Sequence, residues 1–269
     1  MAVSGEVTEI EALETNLWSL WANFGRGLNS RLVDTPKLMW FETPIRALPY
    51  NAVMRTKVAR GAEAEVDTLF AHFEAAGKPF LWLVHPSAQP DNLADLLAAR
   101  GFEEVEVCPG MVARINGLPE PGPAPESIEI REVLSSADQD AMVDFVIWRW
   151  DAPQEAAAYL ASVREQHHLG EAASPTRVWM AWKGNLAVAK AITHEANGVI
   201  GLYGVATRPE ARGAGLGRQI CLHALRETDA GRGKLGVLHS SPMAVNLYRR
   251  MGFHEVAPFR LFAAGAFHI

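Results

Sequence analysis

A chain of 269 residues, 49% hydrophobic and 21% charged, has room for one large domain or two ordinary ones, with a globular composition. A formal net charge of −6 argues against general nucleic-acid binding, and no apolar run approaches the roughly 18 residues that span a bilayer. The two cysteines, Cys108 and Cys221, lie far apart in apolar settings, which points to packing thiols in a reducing cytoplasm rather than a disulfide or metal pair.

Residues 1–15 are acidic and lack the basic-then-apolar order of a signal peptide. Leu81-Trp-Leu-Val-His85 reads as an apolar strand, followed by a helical stretch and then Gly101-Phe-Glu-Glu-Val105. Residues 116–126 hold four prolines, which block helix and ladder pairing alike, so the segment reads as an extended spacer. The division expected is 1–117, a linker at 118–126, and 127–269. Past the spacer, 128–133 reads as a strand, and 137–148 and 154–167 as helices. The apolar, β-rich runs 177–182, 187–194 and 198–206 are separated by Lys183-Gly-Asn and Ala196-Asn-Gly, both turn signals. Leu216, Ile220, Cys221, Ala224 and Leu225 recur at helical spacing. Leu235-Gly-Val-Leu-His239 is the next strand. Ser241-Pro242 then reads as an N-cap and a first helical position, and 253–256 and 259–262 as closing strands.

Three pieces of the chain occur twice in the same order. Leu81–His85 parallels Leu235–His239, and Gly-Phe-x-Glu-Val stands at 101–105 and 252–256. Upstream, 52–62 lies against 204–214, with nearly equal spacing from Arg60 to His85 and from Arg212 to His239. A duplicated α/β fold is expected.

The segment Val205-Ala-Thr-Arg-Pro-Glu-Ala-Arg-Gly-Ala-Gly-Leu-Gly-Arg218 ends a strand and opens a helix. A helix N-terminus presents unpaired N–H groups and about half a positive charge, which suits phosphate oxygens. Gly213, Gly215 and Gly217 let the backbone bend towards an anion, while Arg212 and Arg218 add cationic character. A dinucleotide fingerprint would need glycine at 218, and a P-loop would need Gly-Lys-Ser/Thr; neither is present. Taken alone, such a loop also serves as a plain turn before a structural helix.

The arrangement strand, Arg212-x-x-Gly215-x-Gly217, helix resembles motif A of the GNAT superfamily of N-acetyltransferases. Asn246-Leu-Tyr-Arg-Arg-Met-Gly-Phe253 resembles its motif B. The resemblance covers the second half and implies two tandem GNAT-like α/β (α+β) domains, each a mixed central sheet flanked by helices. It implies acetyl-CoA as co-substrate, with no metal. The strand residues Val205, Ala206 and Thr207 would lie along the pantetheine, Val205 and Thr207 pairing with it through their backbone. The amides of Arg212, Gly213, Ala214, Gly215, Leu216, Gly217 and Arg218 would hold the pyrophosphate, and Asn246 would contact the pantetheine or adjacent backbone. Tyr248 would lie near the thioester sulfur. A phenol of pKa near 10 is protonated at neutral pH and suits donation to a departing CoA thiolate.

No position is diagnostic of the general base. His167-His168 is expected to line a surface or pocket rather than bind metal. Trp148, Trp150 and Asp151 fall where acceptor-binding helices lie in the superfamily, though core packing serves the tryptophans equally well. His85 and His239 end equivalent strands. In the first half, Glu63 and Glu65 are expected in place of two loop glycines, and Leu97 in place of Tyr248. Carboxylates there would repel pyrophosphate, so the first copy is expected to be degenerate, structural or walling an acceptor cleft. The expected activity is cytoplasmic N-acetyl transfer to a small amine, with neither nucleic acid nor membrane as partner; the oligomeric state is unreadable. The alternatives are a non-catalytic acyl-CoA-binding or regulatory module, or an acetyltransferase acting on protein lysines or N-termini.

Overall fold

The computed structural model describes residues 7–152, 156–171 and 173–264. In chain order its elements are α1 (Glu9–Trp21), β1 (Arg31–Asp34), β2 (Leu38–Glu42), β3 (Ala52–Thr56), α2 (Ala62–Ala76), β4 (Leu81–Val84), α3 (Leu93–Ala98) and β5 (Phe102–Arg114). There follow β6 (Ile128–Glu132), α4 (Ser136–Trp150), α5 (Ala156–Gln166), β7 (Thr176–Lys183), β8 (Leu186–Ala196) and β9 (Val199–Thr207). The chain ends with α6 (Leu216–Asp229), β10 (Leu235–His239), α7 (Val245–Met251) and β11 (His254–Ala264).

These elements form two compact units interleaved along the chain. Unit 1 comprises Met1–Leu17, Pro109–Val133 and Pro175–Ala257; unit 2 comprises Trp18–Cys108, Leu134–Ser174 and Pro258–Ile269. Three of the boundaries fall immediately before a proline, where the missing N–H breaks a ladder. The helical pair α4 and α5, from the second half of the sequence, lies in unit 2.

In unit 1, β6, β7, β8 and β9 are antiparallel neighbours, β9 pairs parallel with β10, and β10 pairs antiparallel with residues 110–114 of β5. Helix α6 explains why this sheet buries one face. Its Leu216, Ile220, Ala224 and Leu225 recur at helical spacing, and all are buried with Ala189, Ala191, Ile200 and Leu202. Asp229 closes the helix by accepting from the amides of Gly233 and Lys234, both at 2.8 Å, which turns the chain into β10.

The opposite face is pinned by α1. Buried Asn16 donates from Nδ2 to the carbonyls of His194 and Val199 at 3.1 and 3.0 Å, and its Oδ1 accepts from the Tyr203 hydroxyl at 2.7 Å. Gly201 makes this fit possible, because a methyl group there would lie 2.1 Å from Asn16 Oδ1 and 2.2 Å from the Tyr203 ring. Gly201→Ala is therefore expected to cost about 2–3 kcal/mol, measured by denaturant unfolding. A loss below about 0.5 kcal/mol would show that α1 yields freely.

In unit 2, β1 to β3 are antiparallel, β3 pairs parallel with β4, and β4 pairs antiparallel with residues 260–263 of β11. Its core gathers Trp40, Val66, Leu69, Phe73, Phe80, Trp82, Leu93, Leu97 and Phe102.

Two sequence expectations change. The segment after β10 does not start a helix at Pro242: the Ala244 amide bonds to the Ser241 carbonyl at 3.0 Å, making a turn, and α7 begins at Val245. The two closing strands are one, β11, since proline's fixed φ tolerates an extended chain. The start of the helix expected at 154 lies outside the described residues.

The order β–α–β–α recurs, as β3–α2–β4–α3 and β9–α6–β10–α7, and both strand pairs are parallel. The residue-by-residue match does not. Ala52 opens β3 opposite Leu81, whereas Gly204 stands past the last β9–β10 pair, Leu202↔Leu238. The helix caps align Gly61, φ 80°, with Gly215, φ 77°. Glu63 then stands where Gly217 does, and Glu65 answers to Gln219 rather than to a loop glycine.

Candidate functional site

Strands β9 and β10 part in the middle of unit 1. Their ladder runs from Val199↔Leu235 to Leu202↔Leu238 and stops, while β9 continues alongside β8 to Thr207. Between the pairs Ile192↔Tyr203 and Lys190↔Ala206 the register shifts, so Gly204 and Val205 together oppose Ala191. This is a β-bulge, and Gly204, at φ 54°, takes the left-handed conformation it requires.

Beyond β9 the chain makes a short 3₁₀ turn (Pro209–Ala211) and reaches α6 through the glycine loop. Gly213 and Gly215 have φ of 85° and 77°, and side chains at either would meet nothing within 4 Å. The loop is exposed, and the amide of Gln219 closes the first helical turn on the Gly215 carbonyl at 3.1 Å. The amides ahead of it, at the N-terminus of a 14-residue helix, form a cradle suited to an anion. Arg212 is exposed at the loop, and its Nε donates to the Thr207 carbonyl at 3.1 Å, bracing the loop against its own strand. Arg218 sits half-buried in the first turn of α6.

Tyr248, on α7, is 6% exposed and packs in the same core as Cys221 of α6, its ring edge-on to Phe253 at 6.2 Å. Burial pushes its phenol well above the usual value of 10, with a further push from Cys221, so the hydroxyl keeps its proton. Asn246 is exposed, and its Oδ1 accepts from Arg249 Nη1 at 3.2 Å. The strand, the loop and Tyr248 thus lie in one unit around one helix.

On the other face lie His239, a strand end already noted in the sequence, and Tyr203 and Lys190, which the sequence did not single out. Tyr203 and His239, the first residues past the last β9–β10 pair, stack with centroids 6.3 Å apart and planes at 15°. Burial depresses the His239 imidazole to about 3, with the Glu14 carboxylate opposing the shift, so the ring is neutral at physiological pH. Lys190, on β8, is 3% exposed, and its Nζ lies 2.8 Å from where a methyl group on Gly204 would stand. The signal available was Gly201-Leu-Tyr-Gly204, since glycines inside a strand mark a bulge or a close approach.

Other candidates belong to unit 2. His167 is buried and hydrogen-bonded with Asn23 Nδ2 at 3.2 Å, not at a surface, while His168 is exposed beside Glu171. Trp148 is 38% exposed with its ring edge on Phe145, and Asp151 caps α4 at φ 46°. The side chain of Trp150 lies outside the described residues.

Within unit 2, the corresponding gap past the β3–β4 pairs is closed by its own chain. The Thr56 amide donates to His85 Nε2 at 3.2 Å, the Gln89 amide to the Thr56 carbonyl at 2.9 Å, and the Val58 amide to the Gln89 carbonyl at 3.2 Å. The chain after β4 thus pairs with the continuation of β3.

Residues 174–255 match the model of the acetyltransferase (GNAT) domain. Among solved structures, the chain is similar to a GCN5-related N-acetyltransferase from Kribbella flavida, at 19% identity and TM-score 0.67, covering 96% of this chain and 97% of that one. A GCN5-related N-acetyltransferase from Sphaerobacter thermophilus aligns at 14% identity and TM-score 0.60, covering 89% and 78%. A tandem GNAT protein from the clavulanic acid biosynthesis pathway aligns at 14% identity and TM-score 0.59, covering 94% of each chain. A search of curated protein sequences finds no match. The match to the GNAT acetyltransferase domain is thus confined to residues 174–255, while the chain's mixed sheets flanked by helices have the fold of solved GNAT proteins, a tandem one included. Among the described residues, no helix is long and apolar enough to cross a membrane.

Proposed function

We propose that this protein is an N-acetyltransferase that moves an acetyl group from acetyl-CoA to a small amine by direct attack. The observation that carries the proposal is the opening between β9 and β10 at the N-terminus of α6, beside a loop whose glycines leave open space. Acetyl-CoA fits this opening as a second substrate. The backbone of Val205, Ala206 and Thr207 would line its pantetheine. The amides from Arg212 to Arg218 would take the pyrophosphate, with Asn246 on the flanking helix. The Thr207 carbonyl already accepts from Arg212, so the amides and the Val205 carbonyl are the groups of β9 best suited to the pantetheine.

In the reaction, the neutral amine nitrogen attacks the acyl carbon and the carbonyl electrons move to oxygen. The amide then forms, the C–S bond breaks, and Tyr248 gives its proton to the sulfur. The nitrogen loses one proton to solvent, and solvent restores the tyrosine. The desolvation that raises the Tyr248 phenol also disfavours a naked thiolate beside it, so proton transfer stays matched.

The first half belongs to the same proposal as a degenerate copy within the division 1–117, 118–126 and 127–269, acting in the cytoplasm. Its counterpart of the opening is filled by His85 and Gln89, and Glu63 occupies the first turn of α2 where an anion would need none. One acetyl-CoA is therefore expected per chain, counted by isothermal titration calorimetry. The same sample, given a panel of small amines, should release free CoA. Two bound equivalents would refute the degenerate copy, and absence of binding would refute the acyltransferase.

A further inference from the structure

Where β9 leaves β10, its backbone is shaped by the bulge at Gly204 and Val205. Behind that bulge lies Lys190. It is 3% exposed, and it is the one lysine or arginine among the buried polar and charged residues described. Its side chain shares a face of β8 with Ile192, and both press on Gly204: a methyl group there would stand 2.8 Å from Lys190 Nζ and 3.2 Å from Ile192 Cδ1. Gly204 itself is exposed. A single glycine backbone therefore separates the buried Lys190 amine from the surface of the bulge.

We propose that Lys190 is an electrostatic positioning residue, whose fixed charge acts through the Gly204 backbone on the acyl carbonyl. This rests on the acyl-transfer reading above. As the amine attacks, the carbonyl electron pair moves onto oxygen, and negative charge grows next to the bulge amides. A cation held a few ångströms behind those amides, in a medium of low dielectric, stabilises that charge more than it stabilises the neutral thioester. Preorganisation makes this effective: the buried side chain is already held against Gly204 and needs no rearrangement as charge develops. Gly204 is then glycine for two reasons, its φ of 54° and the room its missing side chain gives the ammonium. Tyr248 serves the departing sulfur, whereas Lys190 serves the oxygen.

The test compares Lys190→Met, which keeps the length of the chain and removes the charge, with Lys190→Arg, which keeps the charge. Three readouts are taken: acetyl-CoA Kd by calorimetry, kcat for an accepted amine, and the carbonyl stretch of bound [1-¹³C]acetyl-CoA by infrared difference spectroscopy. Lys190→Met is expected to bind acetyl-CoA within about threefold of the parent, to lose about 10- to 100-fold in kcat, and to shift the carbonyl stretch back towards that of free acetyl-CoA. Lys190→Arg is expected to recover the lower carbonyl frequency and part of kcat. The proposal is overturned if Lys190→Met keeps the parent kcat and carbonyl frequency. It is also overturned if both variants lose acetyl-CoA binding together, which would mark a packing role. A parent protein that binds no acetyl-CoA would instead sink the acyltransferase reading itself.

Discussion

Replacing Tyr248 by phenylalanine is expected to lower kcat by about 100- to 1000-fold while leaving acetyl-CoA affinity within a few fold. The ring is held by packing, in one core with Cys221, Met251 and Phe253, so phenylalanine fills the same volume and keeps α7 in place. Only the hydroxyl is lost, and with it the proton for the thiolate. The sign of the pH dependence follows from the raised phenol. Because burial holds its pKa well above 10, Tyr248 remains an acid throughout the neutral and mildly alkaline range. Parent activity should therefore not fall between pH 7 and 9 through loss of the Tyr248 proton, and Tyr248→Phe should show its deficit at every pH in that window. Steady-state kinetics with calorimetric Kd values check both statements. A variant that retains parent turnover would remove Tyr248 from the chemistry.

The second large effect is expected at the cradle. Gly215→Glu places a carboxylate at the N-cap of α6, where the amides of the following turn would meet the pyrophosphate. Space alone does not forbid it, since nothing lies within 4 Å of a side chain there. The φ of 77° adds about 1–2 kcal/mol of backbone strain, which a domain of this size tolerates. Binding should suffer far more. A negative charge brought against a doubly charged pyrophosphate, together with the side chain's bulk, is expected to weaken acetyl-CoA binding by at least 100-fold. Calorimetry reads the affinity and circular dichroism the fold. Near-parent affinity in a folded variant would move the cofactor site elsewhere.

The local features were legible in the sequence because they are written in local chemistry. The helix at 216–229 follows from apolar spacing, its entry from glycines that permit positive φ, and the strands of unit 1 from β-rich runs between turn signals. Motif order alone placed Tyr248 on the helix that follows β10. The start of α7 was misplaced because Ser241-Pro242 satisfies both a cap and a turn, and only packing of Val245, Tyr248 and Met251 selects between them. The repeat was visible as an order of elements but not as a register, since a strand's register is fixed by its partners and not by its own residues.

The glycine loop and Tyr248 were thus determined by the sequence itself, as backbone freedom and side-chain chemistry at fixed spacing. Whether the strand before that loop offers an open edge was decided by tertiary structure. In unit 1 the ladder stops at Leu202↔Leu238, whereas in unit 2 the chain after β4 turns back and hydrogen-bonds to Thr56 and Val58. Lys190 likewise carries no local signal, being one lysine among β-rich residues. Pairing with Ala206 across a bulge brings its ammonium behind Gly204, because long-range register alone determines which side chains meet across a sheet.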